Sequence, residues 1–150
     1  MTPFDTTFLK TEEITLSLER FAPANPEKKW VDAYHFLIVR TSDGVRVGRC
    51  DVRIGQTQSL FFGGNIGYTV FPEYRGNGYA GKACKLLFAL GKKHKMSHMY
   101  ITCDPENLAS DRTLQKLQGE FIATLHLPED NAMYTDQGKR FVNVYRFMLG

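Results

Sequence analysis

The sequence lacks any apolar run near the roughly 18 residues that a membrane-spanning helix needs. Its first residues, MTPFDTTFLKTEE, contain no basic segment followed by an apolar core, so we expect no secretory signal. Cysteine is scarce, and the three cysteines form no C-x-x-C pair, which argues against a disulfide framework and against a zinc site. We therefore expect a cytoplasmic protein with no membrane association and no bound metal.

A large excess of one sign of charge is also lacking, because the formal net charge is only +3 over 150 residues. The densest basic stretch, residues 92–95, closes a predicted helix, where positive charge complements the helix dipole. We therefore expect a small anionic ligand and no nucleic-acid partner. With 43% hydrophobic and 23% charged residues, the composition is that of an ordinary globular chain, and its length predicts one domain over residues 1–150.

Hydrophobic periodicity predicts strands followed by an alternation of strands and helices. The predicted strands cover residues 13–21, 30–40, 45–55, 65–70, 98–103, 120–127 and 140–149, and the predicted helices cover 78–94 and about 107–118. Residues 56–64 are predicted as a connector, residues 127–132 and 135–140 as loops, and Gly119 as the C-terminal glycine of the second helix. This order predicts an α/β (α+β) fold, with a mixed, mostly antiparallel sheet of six or seven strands, flanking helices and a central strand–helix–strand unit.

The segment PEYRGNGYAGKA, residues 72–83, carries the clearest functional signal. Gly76 and Gly78 permit backbone conformations closed to other residues and remove side chains that would block a ligand. The helix that follows begins with unpaired N–H groups and a partial positive charge. Arg75 adds a permanent cation beside them. Together these features predict a site for a pyrophosphate.

The same segment contains G-x-G-x-x-G, the fingerprint of dinucleotide-binding proteins, and this alternative stays open as the less favoured one. That motif closely follows the first strand of a fold with several strand–helix–strand units. Here residues 71–75 separate the strand from the first glycine, and about four strands precede it. The chain also supplies only one full strand–helix–strand unit after those strands, too few for that fold.

Residues 66–83, IGYTVFPEYRGNGYAGKA, resemble the acetyl-CoA motif of the GCN5-related N-acetyltransferase (GNAT) family, Q/R-x-x-G-x-G/A. Arg75, Gly78 and Ala80 match the motif positions, and the preceding strand ends in a proline-bearing V-F-P as the family's fourth strand commonly does. Residues 106–121 resemble the family's later N-x-x-S-x-R-x-L-x-K-L-G-F segment, with one inserted residue before Phe121. The specific resemblance covers roughly residues 64–121.

The second motif has a physical logic of its own. Asn107, Ser110, Leu114 and Leu117 fall on one helical face, where the leucines would be buried. The polar pair would then lie beside the first helix, at the N-terminal end of that face. From spacing alone, Asn107 serves equally well as a helix cap. The resemblance favours cofactor contact for Asn107 and, less strongly, for Ser110.

The resemblance implies acetyl transfer from acetyl-CoA, as co-substrate, to a primary amine by direct attack on the thioester. The alternative is a non-catalytic acyl-CoA-binding module. The resemblance also implies that the main chain near Val70 donates to the thioester oxygen as it gains charge. The cofactor-binding residues that it implies are Tyr68, Thr69, Val70, Arg75, Gly76, Asn77, Gly78, Tyr79, Ala80, Asn107 and Ser110.

The general acid and base are not identified. Where many family members carry a tyrosine acid this chain has Leu114, and near the position of a glutamate base it has Asn65. For Cys103 we predict a buried apolar role, and for Asp104 a role in starting the helix. The acceptor stays unidentified, and a homodimer is possible. Aromatic candidates for the acceptor wall, most of them better explained as core, are Phe21, Trp30, Tyr34, Phe61, Phe62 and Tyr134.

Overall fold

The computed structural model describes residues 3–28 and 30–150. In this part of the chain seven strands and four α-helices follow one another, and the predicted fold class is confirmed. In chain order they are β1 (Ile14–Ala22), β2 (Asp32–Arg40), β3 (Arg46–Ile54), α1 (Gln58–Gly63), β4 (Ile66–Val70), α2 (Tyr79–Lys93), β5 (His98–Cys103), α3 (Leu108–Lys116), β6 (Glu120–His126), α4 (Ala132–Gln137) and β7 (Phe141–Met148).

The first four strands form an antiparallel sheet in sequence order, β1-β2-β3-β4. The predicted hairpin between β2 and β3 is confirmed, and its turn holds Gly44 at φ +73°. Alternate side chains of β2, namely Tyr34, Phe36 and Ile38, are almost completely buried. One face of this sheet therefore supplies much of the core, as the period of a strand requires.

The last three strands form a second antiparallel sheet in the order β5-β7-β6, with the C-terminal strand in the middle. The sequence predicted one mixed sheet, whereas the paired strands divide into two antiparallel sheets. β4 and β5 are neighbours, but they form no ladder within the described residues. An opening between two sheets is thus the main departure from the predicted architecture.

Asn65 joins the two sheets just before β4 begins. Its main-chain N–H donates to the carbonyl of Tyr100, and its Oδ1 accepts from the Tyr100 N–H at 2.9 Å. Its Nδ2 donates to the carbonyls of Arg53 and Gly55 at 3.0 and 2.9 Å. The side chain is completely buried, so these bonds satisfy polar atoms that water cannot reach. Asn65 therefore has a structural role at the point from which β4 and β5 diverge.

Helix α2 packs its apolar face on the core. Ala83, Cys84, Leu87 and Leu90, which the sequence places at helical spacing, are fully buried. This burial fixes the helix against the first sheet, with its N-terminal end close to the end of β4. In the part of the chain that the structure describes, no helix is long and apolar enough to cross a membrane.

Two predicted connectors contain short helices, α1 and α4, which a pattern of six residues is too short to reveal. The end of α3 also differs from the prediction. The residue in the left-handed conformation is Gln118, at φ +63°, and not Gly119. A Cβ on Gly119 would overlap the ring of Phe147, so this glycine is required by close packing. Gln118 is therefore the residue that turns the chain out of the helix.

Candidate functional site

A groove of about 750 Å³ lies between β4, the N-terminal half of α2 and the exposed side of α3. Its size is that of a site for a substantial small-molecule ligand. Ten of the eleven predicted cofactor-binding residues line it; the exception is Asn77. The lining residues are Tyr68, Thr69, Val70, Tyr74, Arg75, Gly76, Gly78, Tyr79, Ala80, Gly81, Lys82, Lys85, Asn107, Ala109, Ser110, Arg112, Thr113, Lys116 and Leu117.

The edge of β4 that faces the groove presents main-chain groups. Arg53 donates its N–H to the carbonyl of Asn65 at 2.7 Å, and Phe71 donates to the carbonyl of Val47 at 2.8 Å. In an antiparallel pair, alternate residues exchange these bonds. Odd-numbered residues from 65 to 71 thus bond to β3, and the even-numbered residues Tyr68 and Val70 direct their N–H groups to the open edge. Thr69 lines the groove, but its main chain bonds to β3.

The glycine loop ends at the N-terminus of α2. Gly76 and Gly78 have φ of +88° and +75°, conformations that disfavour any side chain. Gly78 is the N-cap, and the first bond of the helix runs from the Lys82 N–H to its carbonyl. The N–H groups of the preceding turn, residues 79–81, therefore lack helical acceptors and lie at the groove. This is an anion-binding geometry.

Asn77 and Arg75 brace the loop. The Asn77 side chain donates to the carbonyl of Tyr74 at 2.9 Å, and its own carbonyl accepts from Lys82 Nζ at 3.1 Å. Arg75 Nε donates to the carbonyl of Val70 at 2.9 Å. That bond occupies the Val70 carbonyl and leaves the Val70 N–H as the group of this residue that faces the open edge.

The groove is positively charged. Five cationic side chains line it and, among the described residues, no carboxylate does. They are Arg75, Lys82, Lys85, Arg112 and Lys116. Lys82 also forms an ion pair with Glu13 at 2.5 Å. With the helix N-terminus they produce a potential suited to a polyanionic ligand.

The N-terminal turn of α3 forms the opposite wall. Asn107 caps the helix, since its Oδ1 accepts from the Ser110 N–H at 3.1 Å, while the residue also lines the groove. The Ser110 hydroxyl shares a hydrogen bond of 2.5 Å with the Tyr68 hydroxyl. Leu114 is fully buried, as predicted for that face. α3 thus presents polar atoms at its first turn and buries its apolar residues behind them.

Burial raises the pKa of two titratable groups beside this wall, the Tyr68 hydroxyl and the Cys103 thiol. Desolvation raises the pKa of Tyr68 well above its ordinary value, although the bond from Ser110 opposes the shift. Desolvation likewise raises the pKa of the Cys103 thiol to about 11, with the nearby carboxylate of Asp111 acting in the same direction. Both groups are therefore protonated at neutral pH. Asp104 Oδ1 accepts from the Glu106 N–H at 2.9 Å in the turn before α3, but the residue that caps the helix is Asn107 and not Asp104 as predicted.

Most of the aromatic candidates for the acceptor wall are packing residues. Tyr34 is fully buried, and its hydroxyl is 2.8 Å from Nε2 of His94. Phe21 packs edge-on against the Tyr34 ring. Phe61, Phe62 and Tyr134 pack against a smaller cluster around Leu127, Val142 and Val144. Trp30 is the exposed exception, at 59%.

Sequence reasoning missed several groove residues. Lys82 and Lys85 are three apart on α2, and Arg112 and Lys116 are four apart on α3, spacings that place each pair on one helical face. That signal was available from the sequence. The pairing of Tyr68 with Ser110 was not, because 42 positions separate the two residues.

Residues 4–120 match the model of the acetyltransferase (GNAT) domain family, which is well over half of the chain. A stretch of 53 residues is 38% identical to an uncharacterized N-acetyltransferase, YnaD, of Bacillus subtilis (strain 168), and it covers 35% of this chain and 31% of that one.

Solved structures share the fold at low sequence identity. One is described as a putative ribosomal-protein-serine acetyltransferase from Vibrio cholerae, with a TM-score of 0.58, 19% identity, and coverage of 77% of this chain and 64% of that one. Another is the ribosomal L7/L12 N-acetyltransferase RimL in complex with coenzyme A, with a TM-score of 0.60, 17% identity, and coverage of 77% and 62%. The chain thus spans less than two thirds of the length of these relatives.

Proposed function

Because the chain belongs to the GNAT acetyltransferase family, we propose that it transfers an acetyl group from acetyl-CoA to a primary amine, with no metal and in the cytoplasm. The observation that carries the proposal is the cationic groove that joins the N-terminus of α2 to the open edge of β4. One end of the groove offers N–H groups and cations, and the other offers the main-chain groups of a strand edge. A CoA thioester needs both, the first for its phosphates and the second for its arm.

The residues present fit acetyl-CoA. The N–H groups of residues 79–81 and the Arg75 side chain would hold the pyrophosphate, with Lys85, Arg112 and Lys116 adding charge along the groove. Gly76 and Gly78 leave the approach to these N–H groups open. Asn107 would add an amide contact from the opposite wall.

The main chain of β4 would hold the rest of the co-substrate. The N–H groups of Tyr68 and Val70 face the open edge, where an extended pantetheine arm can pair with them like a strand. The Val70 N–H would then donate to the thioester oxygen as that atom gains charge.

Acetyl-CoA, when bound, supplies an activated acyl group that an unprotonated amine attacks. In the described residues no carboxylate lines the groove, so we assign deprotonation of the amine to water that leads to bulk solvent. Positioning of the two reactants would then supply much of the rate.

Two measurements test the function. Calorimetry with CoA and with NAD should show binding of CoA alone, whereas tight binding of NAD without CoA would support the dinucleotide alternative. Release of free thiol from acetyl-CoA should then depend on an amine from a panel of N-terminal peptides, lysine peptides, amino acids and polyamines. Binding of CoA without amine-dependent release across this panel would favour the non-catalytic acyl-CoA-binding module.

A further inference from the structure

The hydrogen bond between Tyr68 and Ser110 spans the groove from β4 to α3. The two hydroxyl oxygens are 2.5 Å apart, and both residues line the groove. The bond therefore connects a strand of the first sheet to the helix that follows β5 of the second, across the opening between the sheets. The described residues offer no such bridge at the glycine-loop end, where the walls are loop and helix N-terminus.

This bridge lies at the end of the groove farther from the phosphate loop. Val70 adjoins the loop, and Tyr68 is two residues earlier, about 7 Å farther along the strand. A ligand whose phosphates lie at the N-terminus of α2 and whose thioester oxygen accepts from the Val70 N–H would hold its reacting end between Val70 and the Tyr68–Ser110 bond. In a CoA thioester that end carries the sulfur.

The Tyr68 hydroxyl has the protonation state that a donor to sulfur requires. Desolvation keeps it protonated, and the neighbouring Cys103 thiol, 7% exposed, is protonated for the same reason. The nearest carboxylate on α3, Asp111, already accepts a bond of 2.5 Å from the Tyr145 hydroxyl. At position 114, one turn further along α3, the chain has a buried leucine with no proton to donate.

We propose that the Tyr68 hydroxyl donates a hydrogen bond to the departing sulfur. This proposal rests on the acetyl transfer proposed above. Ser110 is a positioning residue that holds this hydroxyl by donating to its oxygen. As the new N–C bond forms, the C–S bond breaks and its electron pair goes to sulfur. The amine proton passes to water. The thiolate is stabilised by the Tyr68 O–H, which keeps its own proton, and it takes its final proton from solvent.

The test follows the thiol of bound CoA and needs no acceptor. The ionisation of this thiol is read from thiolate absorbance at about 240 nm between pH 6 and 10. The absorbance of the complex with desulfo-CoA, a probe that lacks the sulfur, is subtracted. A hydrogen bond to a charged group is worth enough to move a pKa by about 1–2 units. In Tyr68→Phe the pKa of the bound thiol should therefore rise by about that amount, and in Ser110→Ala by less in the same direction.

Tyr145→Phe is the matched control. It also removes a tyrosine hydroxyl that bonds the first turn of α3, but at Asp111 and outside the groove lining. We expect no shift of the bound thiol in this variant. An equal shift in Tyr145→Phe would mean that the position of α3 is responsible and would overturn the proposal.

Absence of a shift in Tyr68→Phe would also overturn it. If Tyr68→Phe does not fold, Ser110→Ala decides in the same way, because it leaves the Tyr68 hydroxyl but removes its partner. Failure of the wild type to bind CoA at all would instead refute the proposed function, so the two failures are distinguishable.

Discussion

At Cys103, burial rather than a charged partner governs the chemistry of the thiol. Its pKa is raised from 9.0 to about 11, mainly by desolvation, so the reactive thiolate is scarce at neutral pH. We expect iodoacetamide to label Cys103 of the folded protein roughly a hundredfold more slowly at pH 8 than in the urea-unfolded chain, as measured by peptide mass spectrometry. The folded rate should rise with pH until about 11. Labelling at the unfolded rate would contradict the burial of this thiol.

Gly78 meets two requirements, because its φ is positive and because it leaves the N–H groups at the start of α2 uncovered. A matched control separates the second requirement from backbone strain. Valine at position 78, where φ is +75°, costs roughly 1–2 kcal/mol of stability, and its branched side chain would cover the N–H groups at the start of α2. Gly78→Val should therefore weaken CoA binding at least about tenfold in calorimetry. Gly138→Val is the matched control, because φ is +67° there, at the end of α4 and away from the groove. Equal loss of affinity in both variants would show that strain alone is responsible.

At the scale of elements, the spacing between β3 and β4 depends on Gly48. It pairs with Val70, and a Cβ here would overlap the carbonyl oxygen of Thr69, a main-chain atom that cannot rotate away. Gly48→Ala should cost about 1–3 kcal/mol in urea unfolding and displace the edge of β4 that lines the groove. Gly63→Ala, where nothing lies within 4 Å, should stay within about 1 kcal/mol of the wild type. A neutral Gly48→Ala would mean that the strands separate easily.

Some of these elements could be predicted from local sequence patterns and others could not. The local structure of residues 66–83 could be predicted from the sequence because a strand end, a glycine loop and a helix start are all contained in one short segment. The division into two sheets could not, since Asn65 contacts Tyr100, 35 positions away, and no local pattern encodes that pair. The requirement for glycine at position 119 has the same origin. The ring of Phe147, distant in sequence, occupies the space beside the glycine.

For the whole molecule, the groove is the place where the two sheets can be coupled by a ligand. β4 belongs to the first sheet and α3 follows a strand of the second, so a molecule that contacts both walls stabilises their relative position. The chain itself contributes Asn65 at one end of the opening and the Tyr68–Ser110 bond along it. The predicted single domain over residues 1–150 and the possible homodimer stay predictions.

This coupling predicts a thermal shift with a characteristic salt dependence. A ligand at a hundred times its Kd stabilises the folded state by about 2.7 kcal/mol. For a chain of 150 residues that corresponds to a rise in Tm of about 5–10 °C, which scanning calorimetry with CoA would measure. Four cations that line the groove, Arg75, Lys85, Arg112 and Lys116, are exposed, so the shift at fixed CoA should shrink as salt rises to about 1 M, where the Debye length falls to about 3 Å. NAD at the same concentration should give a much smaller rise. A shift with CoA that is independent of salt would place the phosphates away from these cations.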